Sequence, residues 1–351
     1  MIRVLVVDDS PTARALLVEI LRSDPEIQVV GEAKDGIEGV ELTGKLRPSL
    51  VTMDVRMPRL DGFAATKEIM IASPTPIVIV TSSFDAREVE IAMQSLRAGA
   101  LAVLRKPPGP DSPAFEETAR KLVGTVKAMA QVKVVRHWRP QGGGPAGEPR
   151  APQPAPPTPR PAPRASLVAI ATSTGGPAAL HRLLSRLPGD FPSPVLVVQH
   201  NAPGFMGGLV RWLDGSCDLT VKVAEQGERL RAHTVYLAPD ERHLGVSAHG
   251  TALLSGAPPV GGFRPSGTYL FESAARACGS SVVALILTGM GEDGVEGLRA
   301  VRQAGGQVIA QDEDSSVVWG MPGAAVAAGL ADSVLPLDTI PIRLMELVIN
   351  H

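Results

Sequence analysis

Cysteine and aromatic residues are scarce in this chain of 351 residues. The two cysteines, Cys217 and Cys278, lie far apart and show neither the spacing of a zinc site nor that of a redox pair. This pattern excludes a disulfide framework and favours free thiols in a reducing cytoplasm. Aromatic residues make up 3% of the chain and hydrophobic residues 44%, so its cores must be built from valine, leucine, isoleucine and alanine.

A charge excess and a long apolar run are also missing. The formal net charge is −2 at pH 7, which favours neither nucleic acid nor an anionic membrane as a partner. No apolar stretch reaches the roughly 20 residues that cross a bilayer. The N-terminus runs from an apolar strand into Asp8 and Asp9 and does not have the pattern of a signal peptide. We therefore expect a cytoplasmic protein that neither inserts into a membrane nor binds nucleic acid.

Proline and glycine, by contrast, are concentrated in residues 138–164. This stretch has too few apolar side chains to offset the entropy of ordering, which predicts a flexible tether with polyproline character. Its PxxP-like pieces could also dock an SH3-type groove. Residues 115–137 carry apolar residues at helical spacing and predict a connector helix. The length suggests about two domains, which a linker at 125–164 would separate.

The first half of the chain alternates apolar strands with helices. The strands are predicted at residues 2–7, 27–30, 50–54, 77–80 and 101–104. Such alternation predicts a doubly wound parallel sheet of the α/β class, whose ligands gather at the carboxyl ends of the strands. Five polar residues stand at these ends: Asp8, Asp9, Asp54, Thr81 and Lys106.

This five-residue set indicates phosphoryl chemistry. Three neighbouring carboxylates need a cation to stay ionised together, and Mg²⁺ prefers oxygen ligands. Lys106 and Thr81 could bind the oxygens of a phosphoryl group. In these features residues 1–124 resemble the receiver domain of two-component response regulators. The resemblance implies Asp54 as phosphoacceptor, Asp8, Asp9 and Asp54 as Mg²⁺ ligands, and Thr81 and Lys106 as phosphate sensors.

Two further details concern the receiver pattern. Many receivers carry an aromatic switch residue three positions before the lysine, where this chain has Val103. Signalling by rotation of an aromatic ring is therefore not favoured, whereas phosphorylation is. The resemblance also implies a cis peptide bond between Lys106 and Pro107.

The second half opens with an apolar strand, a turn of small residues containing Ser173, and a helix. Free N–H groups and the positive end of the helix dipole lie beside such a turn, so Ser173 could be a nucleophile or only a helix cap. Two later apolar strands end at His200 and in a glycine-rich loop that contains Glu292 and Asp293.

In a parallel sheet these strand ends share one edge, so the hydroxyl, the imidazole and a carboxylate can converge. Ser173 would then attack, His200 would take its proton, and Asp293 or Glu292 would orient the imidazole. The backbone N–H of Met290 could complete an oxyanion hole. The order serine, histidine, acid and the lack of a Gly-x-Ser-x-Gly elbow differ from the α/β-hydrolases and predict a separate hydrolase family.

Other interpretations of the same residues carry less weight. The glycine-rich turns could bind phosphate at a helix N-terminus, but no Gly-Lys-Ser follows either of them. His233, His243 and His249 could hold zinc, but their spacing is not diagnostic.

Residues 165–346 resemble the catalytic domain of the chemotaxis protein-glutamate methylesterase (CheB) family. The matching motifs are Ser173-Thr-Gly-Gly-Pro-Ala-Ala-Leu, Gln199-His200-Asn-Ala-Pro-Gly-Phe, Tyr236-Leu-Ala-Pro-Asp-Glu-Arg-His-Leu, Arg264-Pro-Ser266, Leu287-Thr-Gly-Met-Gly-Glu-Asp293-Gly and Gly320-Met-Pro-Gly-Ala-Ala. The resemblance implies Ser173 as nucleophile, His200 as base, Asp293 rather than Glu292 as orienting acid, and oxyanion contacts from Thr174 and Met290.

The resemblance also implies the biological role. Members hydrolyse glutamate γ-methyl esters on methyl-accepting chemotaxis receptors, releasing methanol, and deamidate certain receptor glutamines. A chemotaxis histidine kinase would be the phosphodonor. We expect Mg²⁺ in the receiver, no cofactor in the catalytic domain, and a monomer. In the unphosphorylated state the receiver would pack over the catalytic edge and hinder entry of a receptor helix.

The expected organisation is a flavodoxin-like receiver at 1–124, the linker, a Rossmann-like α/β/α methylesterase at 165–346, and a tail at 347–351. The chain departs from the family pattern at two places. Ala171-Thr172 replaces Gly-Ala before the serine, and Gly267-Thr268 replaces Val-Asp after Ser266. The first change is expected to crowd the nucleophile turn. A binding protein that docks receptors without hydrolysis is the main alternative; a DNA-binding regulator is disfavoured because no basic recognition helix follows the receiver.

Overall fold

The computed structural model describes residues 1–82, 86–132 and 166–349. The predicted tether and the last two residues of the predicted tail lie outside these described residues. The predicted connector helix begins at Phe115 and ends at Met129. The predicted continuation of this helix is wrong for residues 130–132, which form a turn, and the rest of it lies outside the described part of the chain.

The first domain is a five-stranded parallel sheet with the strand order β2-β1-β3-β4-β5. Its strands are β1 (Ile2–Val7), β2 (Ile27–Ala33), β3 (Leu50–Met53), β4 (Ile77–Thr81) and β5 (Ala102–Arg105). Its helices are α1 (Pro11–Arg22), α2 (Gly36–Leu46), α3 (Gly62–Ala72), α4 (Ala86–Arg97) and α5 (Phe115–Met129). β2 is added on one side of β1, and β3 is then added on the other side. A ligand crevice is expected at the carboxyl ends of β1 and β3, where the strand order changes direction.

Short polar side chains set the starts of three of these helices. Ser10, Asp35 and Asp61 each accept a hydrogen bond from a backbone N–H in the first turn of α1, α2 and α3. These caps satisfy N–H groups that the helix itself leaves free.

The second domain is a seven-stranded sheet, again with parallel pairing throughout. Its strands are β6 (Leu167–Thr172), β7 (Val195–Gln199), β8 (Thr220–Val223), β9 (Thr234–Leu237), β12 (Val282–Ile286), β13 (Gln307–Gln311) and β14 (Ser333–Leu335). Its helices are α6 (Gly176–Leu184), α7 (Met206–Asp214), α8 (Gly267–Cys278), α9 (Val295–Gln303), α10 (Met321–Ala327) and α11 (Ile340–Ile349). A separate antiparallel hairpin consists of β10 (His243–Val246) and β11 (Ala252–Ser255).

The seven-stranded sheet has the order β14-β13-β12-β6-β7-β9-β8. From β6 the chain first adds strands on the β7 side and later returns to add β12 on the other side. The point of reversal therefore lies at β6, and its carboxyl end is where a ligand site is expected. The predicted fold class, two doubly wound parallel α/β domains, is confirmed.

The two domains pack against each other through helices α4 and α7. Val89 of α4 is buried and reaches Gly208 of α7. One helical turn or more away, the guanidinium of Arg97 lies 5.4 Å from the centre of the Trp212 ring. That ring stacks in turn on His181. Apolar residues of both domains form one continuous buried cluster across this contact.

In the described part of the chain, none of the helices has both the length and the apolar character that crossing a membrane requires.

Candidate active site

Ser173 follows β6 directly, at the point of reversal of the sheet. Its backbone N–H donates to the carbonyl of Thr288, 3.0 Å away, and its own carbonyl accepts from the N–H of Gly176 at 2.9 Å. The turn then passes through Gly175, which has a φ of +80° and precedes α6. Only glycine adopts this backbone conformation without strain, so the sharp exit from the strand depends on it.

His200 and Asp293 form a buried pair beside this turn. Nε2 of His200 lies 2.8 Å from Oδ2 of Asp293, and Nδ1 has no hydrogen-bond partner although it is buried. Because a carboxylate only accepts hydrogen bonds, Nε2 carries a proton, and in the neutral imidazole Nδ1 then carries the lone pair. The imidazole is thereby held in the tautomer that a general base needs, with Nδ1 as the basic atom.

Asp293 is held by one loop as well as by the histidine. It accepts from Oγ of Ser266 at 2.7 Å, from the N–H of Gly267 at 2.6 Å and from the N–H of Thr268 at 3.2 Å. Burial would raise the pKa of Asp293, but these bonds and the bond to His200 outweigh it, so the pKa lies below its ordinary value. Asp293 therefore stays ionised, and Glu292 is exposed beside it.

The glycine-rich loop after β12 comes close to the serine. A Cβ added to Gly289 would lie 2.8 Å from the Cβ of Ser173, so only glycine allows this approach. Thr174 and Met290, the two predicted oxyanion residues, line the same cavity as Ser173 and His200. The structure therefore groups all five predicted catalytic and oxyanion residues at one edge of the sheet.

The departures from the family pattern at residues 171 and 267 compensate for each other in side-chain size. The Ala171 Cβ stands 2.7 Å from where a Cβ on Gly267 would be, so alanine at 171 fills the space that a side chain at 267 would take. The Thr172 hydroxyl, also buried, donates to the carbonyl of Thr288 at 2.9 Å. The expected crowding of the nucleophile turn is thus wrong: the added methyl is matched by the glycine, and the added hydroxyl is bonded.

The size compensation between Ala171 and Gly267 can be tested with a double-mutant cycle. Gly267→Val should lower esterase activity roughly tenfold and destabilise the fold by about 1–3 kcal/mol, because the new side chain meets Ala171 and displaces the N–H that holds Asp293. Ala171→Gly in the same chain should restore most of both losses. Denaturant unfolding and initial rates of the four forms measure the coupling, and additive effects would contradict the compensation.

A second polar cluster lies in the first domain, at the carboxyl ends of β1 and β3. Carboxylate oxygens of Asp8, Asp9 and Asp54 lie within 4.8 Å of one another. Nζ of Lys106 is 2.8 Å from Oδ2 of Asp8 and 2.9 Å from Oδ2 of Asp54. Burial raises the pKa of Asp54 to about 6. An acidic, oxygen-only donor set of this kind fits a hard divalent cation such as Mg²⁺.

Thr81 lies at the same edge but points to helix α4. Its hydroxyl donates to Oε2 of Glu88 at 2.5 Å, and Oε1 of Glu88 pairs with Arg56 at 2.8 Å. The predicted cis bond before Pro107 is wrong, because the cis peptide among the described residues is Arg264–Pro265. With a trans bond there, the Lys106 side chain still reaches both carboxylates.

The alternative zinc site gains no support within the described ranges. There the aspartate cluster of the first domain is the one group of three or more potential ligands close enough to hold a metal ion. Nε2 of His243 instead bonds to the carbonyl of Pro258 at 3.1 Å, and the ring stacks on Tyr269.

One cavity opens beside Ser173, and Lys106 is the member of the first-domain cluster that lines it. It has a volume of about 1100 Å³ and lies between the domains. Ser173 and His200 line the cavity from the second domain, while Lys106 and Lys121 line it from the first domain. The nucleophile therefore opens onto a space that the first domain closes from the other side.

Fold and site together define a class: a receiver-type domain joined to an α/β domain with a serine, histidine and aspartate at its switch point. Known protein families match both halves of the chain and agree with this class. Residues 4–112 match the response regulator receiver domain, and residues 168–344 match the CheB methylesterase family. The chain belongs to the CheB methylesterase family.

Relatives align over nearly the whole chain. A protein named protein-glutamate methylesterase/protein-glutamine glutaminase 4 from Myxococcus xanthus is 58% identical over 98% of this chain and 96% of its own length. A Nitrosospira multiformis protein-glutamate methylesterase/protein-glutamine glutaminase is 48% identical over 99% and 97%. The crystal structure of the Thermotoga maritima CheB methylesterase catalytic domain is 42% identical, with a TM-score of 0.51, and covers 52% of this chain and 99% of that domain.

Proposed function

We propose that this chain is a phosphorylation-regulated protein-glutamate methylesterase and protein-glutamine glutaminase. It hydrolyses glutamate γ-methyl esters on chemoreceptors, deamidates receptor glutamines, and so serves adaptation in chemotaxis. The observation that carries the proposal is the buried His200–Asp293 pair, with Nδ1 of His200 left as a base beside the Ser173 turn. A binding protein without hydrolysis would have no use for an imidazole fixed in this tautomer.

The reaction follows from the three side chains. Oγ of Ser173 attacks the ester carbonyl while Nδ1 of His200 takes its proton, and Asp293 stabilises the imidazolium that forms. The backbone N–H groups of Thr174 and Met290 stabilise the oxyanion. His200 then gives the proton to the departing methoxide, methanol leaves, and water attacks the acyl-enzyme by the same route to release glutamate. With a glutamine substrate the leaving group is ammonia.

Regulation enters through the receiver. Asp54 accepts a phosphoryl group from a chemotaxis histidine kinase. Asp8, Asp9 and Asp54 would hold Mg²⁺, which would supply positive charge to offset that of the carboxylates and the phosphoryl group. Lys106 and Thr81 then contact the phosphoryl oxygens. In the unphosphorylated chain the receiver bounds the cavity over Ser173, which supports the proposal that it hinders entry of a receptor helix. The chain acts as a cytoplasmic monomer.

The direct test is methanol release from membranes that carry methylated chemoreceptors. The wild type should release methanol, and the rate should rise when a small phosphodonor and Mg²⁺ are added. Deamidation is followed in parallel as ammonia release from receptors that retain glutamine. Failure of both reactions with every methylated receptor tested would contradict the proposed activity.

Asp54→Asn should remove the response to the phosphodonor, because the amide is not a nucleophile for phosphoryl transfer. The rate with phosphodonor should then equal the rate without it, a loss of the whole activation. Glu19→Gln changes an exposed acid on α1 by the same amount of charge and should leave the response intact. Activation that persists in the Asp54 variant would place the phosphorylation site elsewhere.

A further inference from the structure

An aromatic ring lies flat on the catalytic imidazole. The ring centres of Phe263 and His200 are 4.3 Å apart, and their planes differ by 7°. A face-to-face contact leaves the edge of the imidazole free, so Nε2 still reaches Asp293 and Nδ1 still faces away from the stack. The phenylalanine therefore covers His200 without competing for either nitrogen.

The backbone presents this ring through a tight turn. Val260 and Phe263 exchange two backbone hydrogen bonds of 3.0 Å each, so Gly261 and Gly262 form a two-residue loop between them. Both glycines have positive φ, 59° and 84°, as a type I′ turn requires. A Cβ on either would meet nothing within 4 Å, so the glycines are needed for their backbone conformation and not for space.

The segment after the turn is anchored by side-chain hydrogen bonds at Arg264 and Ser266. The Arg264 guanidinium donates to the carbonyls of Gly256 and Ala257 at 3.4 and 3.3 Å. Next along the chain, Ser266 begins the set of three groups that bind Asp293. One short segment thus holds the ring that covers the base and the groups that orient the acid.

We infer that Phe263 is a positioning residue for His200 in the proposed Ser173–His200–Asp293 chemistry. A single bond at Nε2 leaves the imidazole free to tilt about it, and the stacked ring restricts that tilt. The electron-rich face of phenylalanine also attracts the imidazolium that forms when Ser173 loses its proton. Both effects act on proton transfer and neither requires contact with the receptor.

The test separates positioning from receptor binding by using a small probe. A serine-directed fluorophosphonate forms an Oγ–P bond with Ser173 as the P–F bond breaks, and the proton of Ser173 goes to His200. Full-length Phe263→Leu should be labelled about tenfold more slowly than the wild type, because the stack and its attraction for the imidazolium are lost. Phe263→Tyr keeps the ring and should recover the rate to within about twofold.

Receptor kinetics and a matched control complete the design. With methylated receptor membranes, Phe263→Leu should lower kcat about tenfold and leave KM within about threefold, with an unchanged melting temperature. Phe115→Leu makes the same substitution at a half-buried position of α5 that does not line the cavity, and it should label like the wild type. Equal labelling of Phe263→Leu and wild type, a change confined to KM, or no rescue by tyrosine would overturn the inference. An unlabelled wild type would instead overturn the proposed nucleophile.

Discussion

Ser173→Ala is expected to lower methanol release by on the order of 10⁴-fold or more, the largest effect of any single substitution in this chain. Without Oγ no acyl-enzyme forms, and His200 and Asp293 have no proton to handle, so the three residues fail as a unit. The N–H of residue 173 still bonds to the carbonyl of Thr288, so the turn and the fold should persist.

Initial rates on methylated receptor membranes measure this loss, and fluorophosphonate labelling checks it independently. Ser185→Ala, at the far and exposed end of the same helix, is the matched control and should keep wild-type activity. A Ser173 variant that retains a tenth or more of the activity would contradict a serine nucleophile. If wild type and variant bind receptors equally and neither releases methanol, the result would favour the alternative of a protein that docks receptors without hydrolysis.

The edge of each sheet that carries the carboxyl ends of its strands could be predicted from the sequence, because the residues change there from apolar to polar. Val4 to Val7 are all but fully buried and run straight into Asp8, a change from apolar to charged that only the end of a buried strand explains. The same change marks β7 before His200. Parallel pairing then brings such ends together, which is why residues as distant as Ser173 and Asp293 could be placed in one site.

Contacts across loops could not be predicted in this way. The stack of Phe263 on His200 depends on a two-glycine turn whose direction no periodicity encodes. The size compensation between Ala171 and Gly267 shows only when both backbones are in place. Strand β14 has three residues and a half-exposed Val334, too short and too open to give an apolar pattern. Turns and side-chain contacts of this kind set the detailed geometry of the site.

Gly208→Ala is expected to raise the activity of the unphosphorylated chain about tenfold, toward the level that the phosphodonor produces. A Cβ at Gly208 would overlap the Cγ1 methyl of Val89 across the α4–α7 contact. The packed arrangement would then have to open or shift, at a cost of about 1–3 kcal/mol, which is about 5- to 150-fold in the balance between closed and open forms. Within α7 itself alanine favours the helix, so the catalytic domain should not suffer.

Gly207→Ala is the matched control because it makes the same substitution one position away in the same helix. A Cβ there has its nearest neighbour at 3.7 Å, on the Arg211 side chain of α7 itself, so the domain contact is untouched. Methanol release without phosphodonor should rise in the Gly208 variant alone, and its radius of gyration should increase in solution scattering. Equal activity in both variants would mean that the α4–α7 contact does not restrain the enzyme. Helix α4 contains Glu88, which accepts a hydrogen bond from the Thr81 hydroxyl at the proposed phosphorylation site, so α4 joins that site to the domain contact. Activation of the Gly208 variant combined with Asp54→Asn would therefore show that opening the contact replaces phosphorylation.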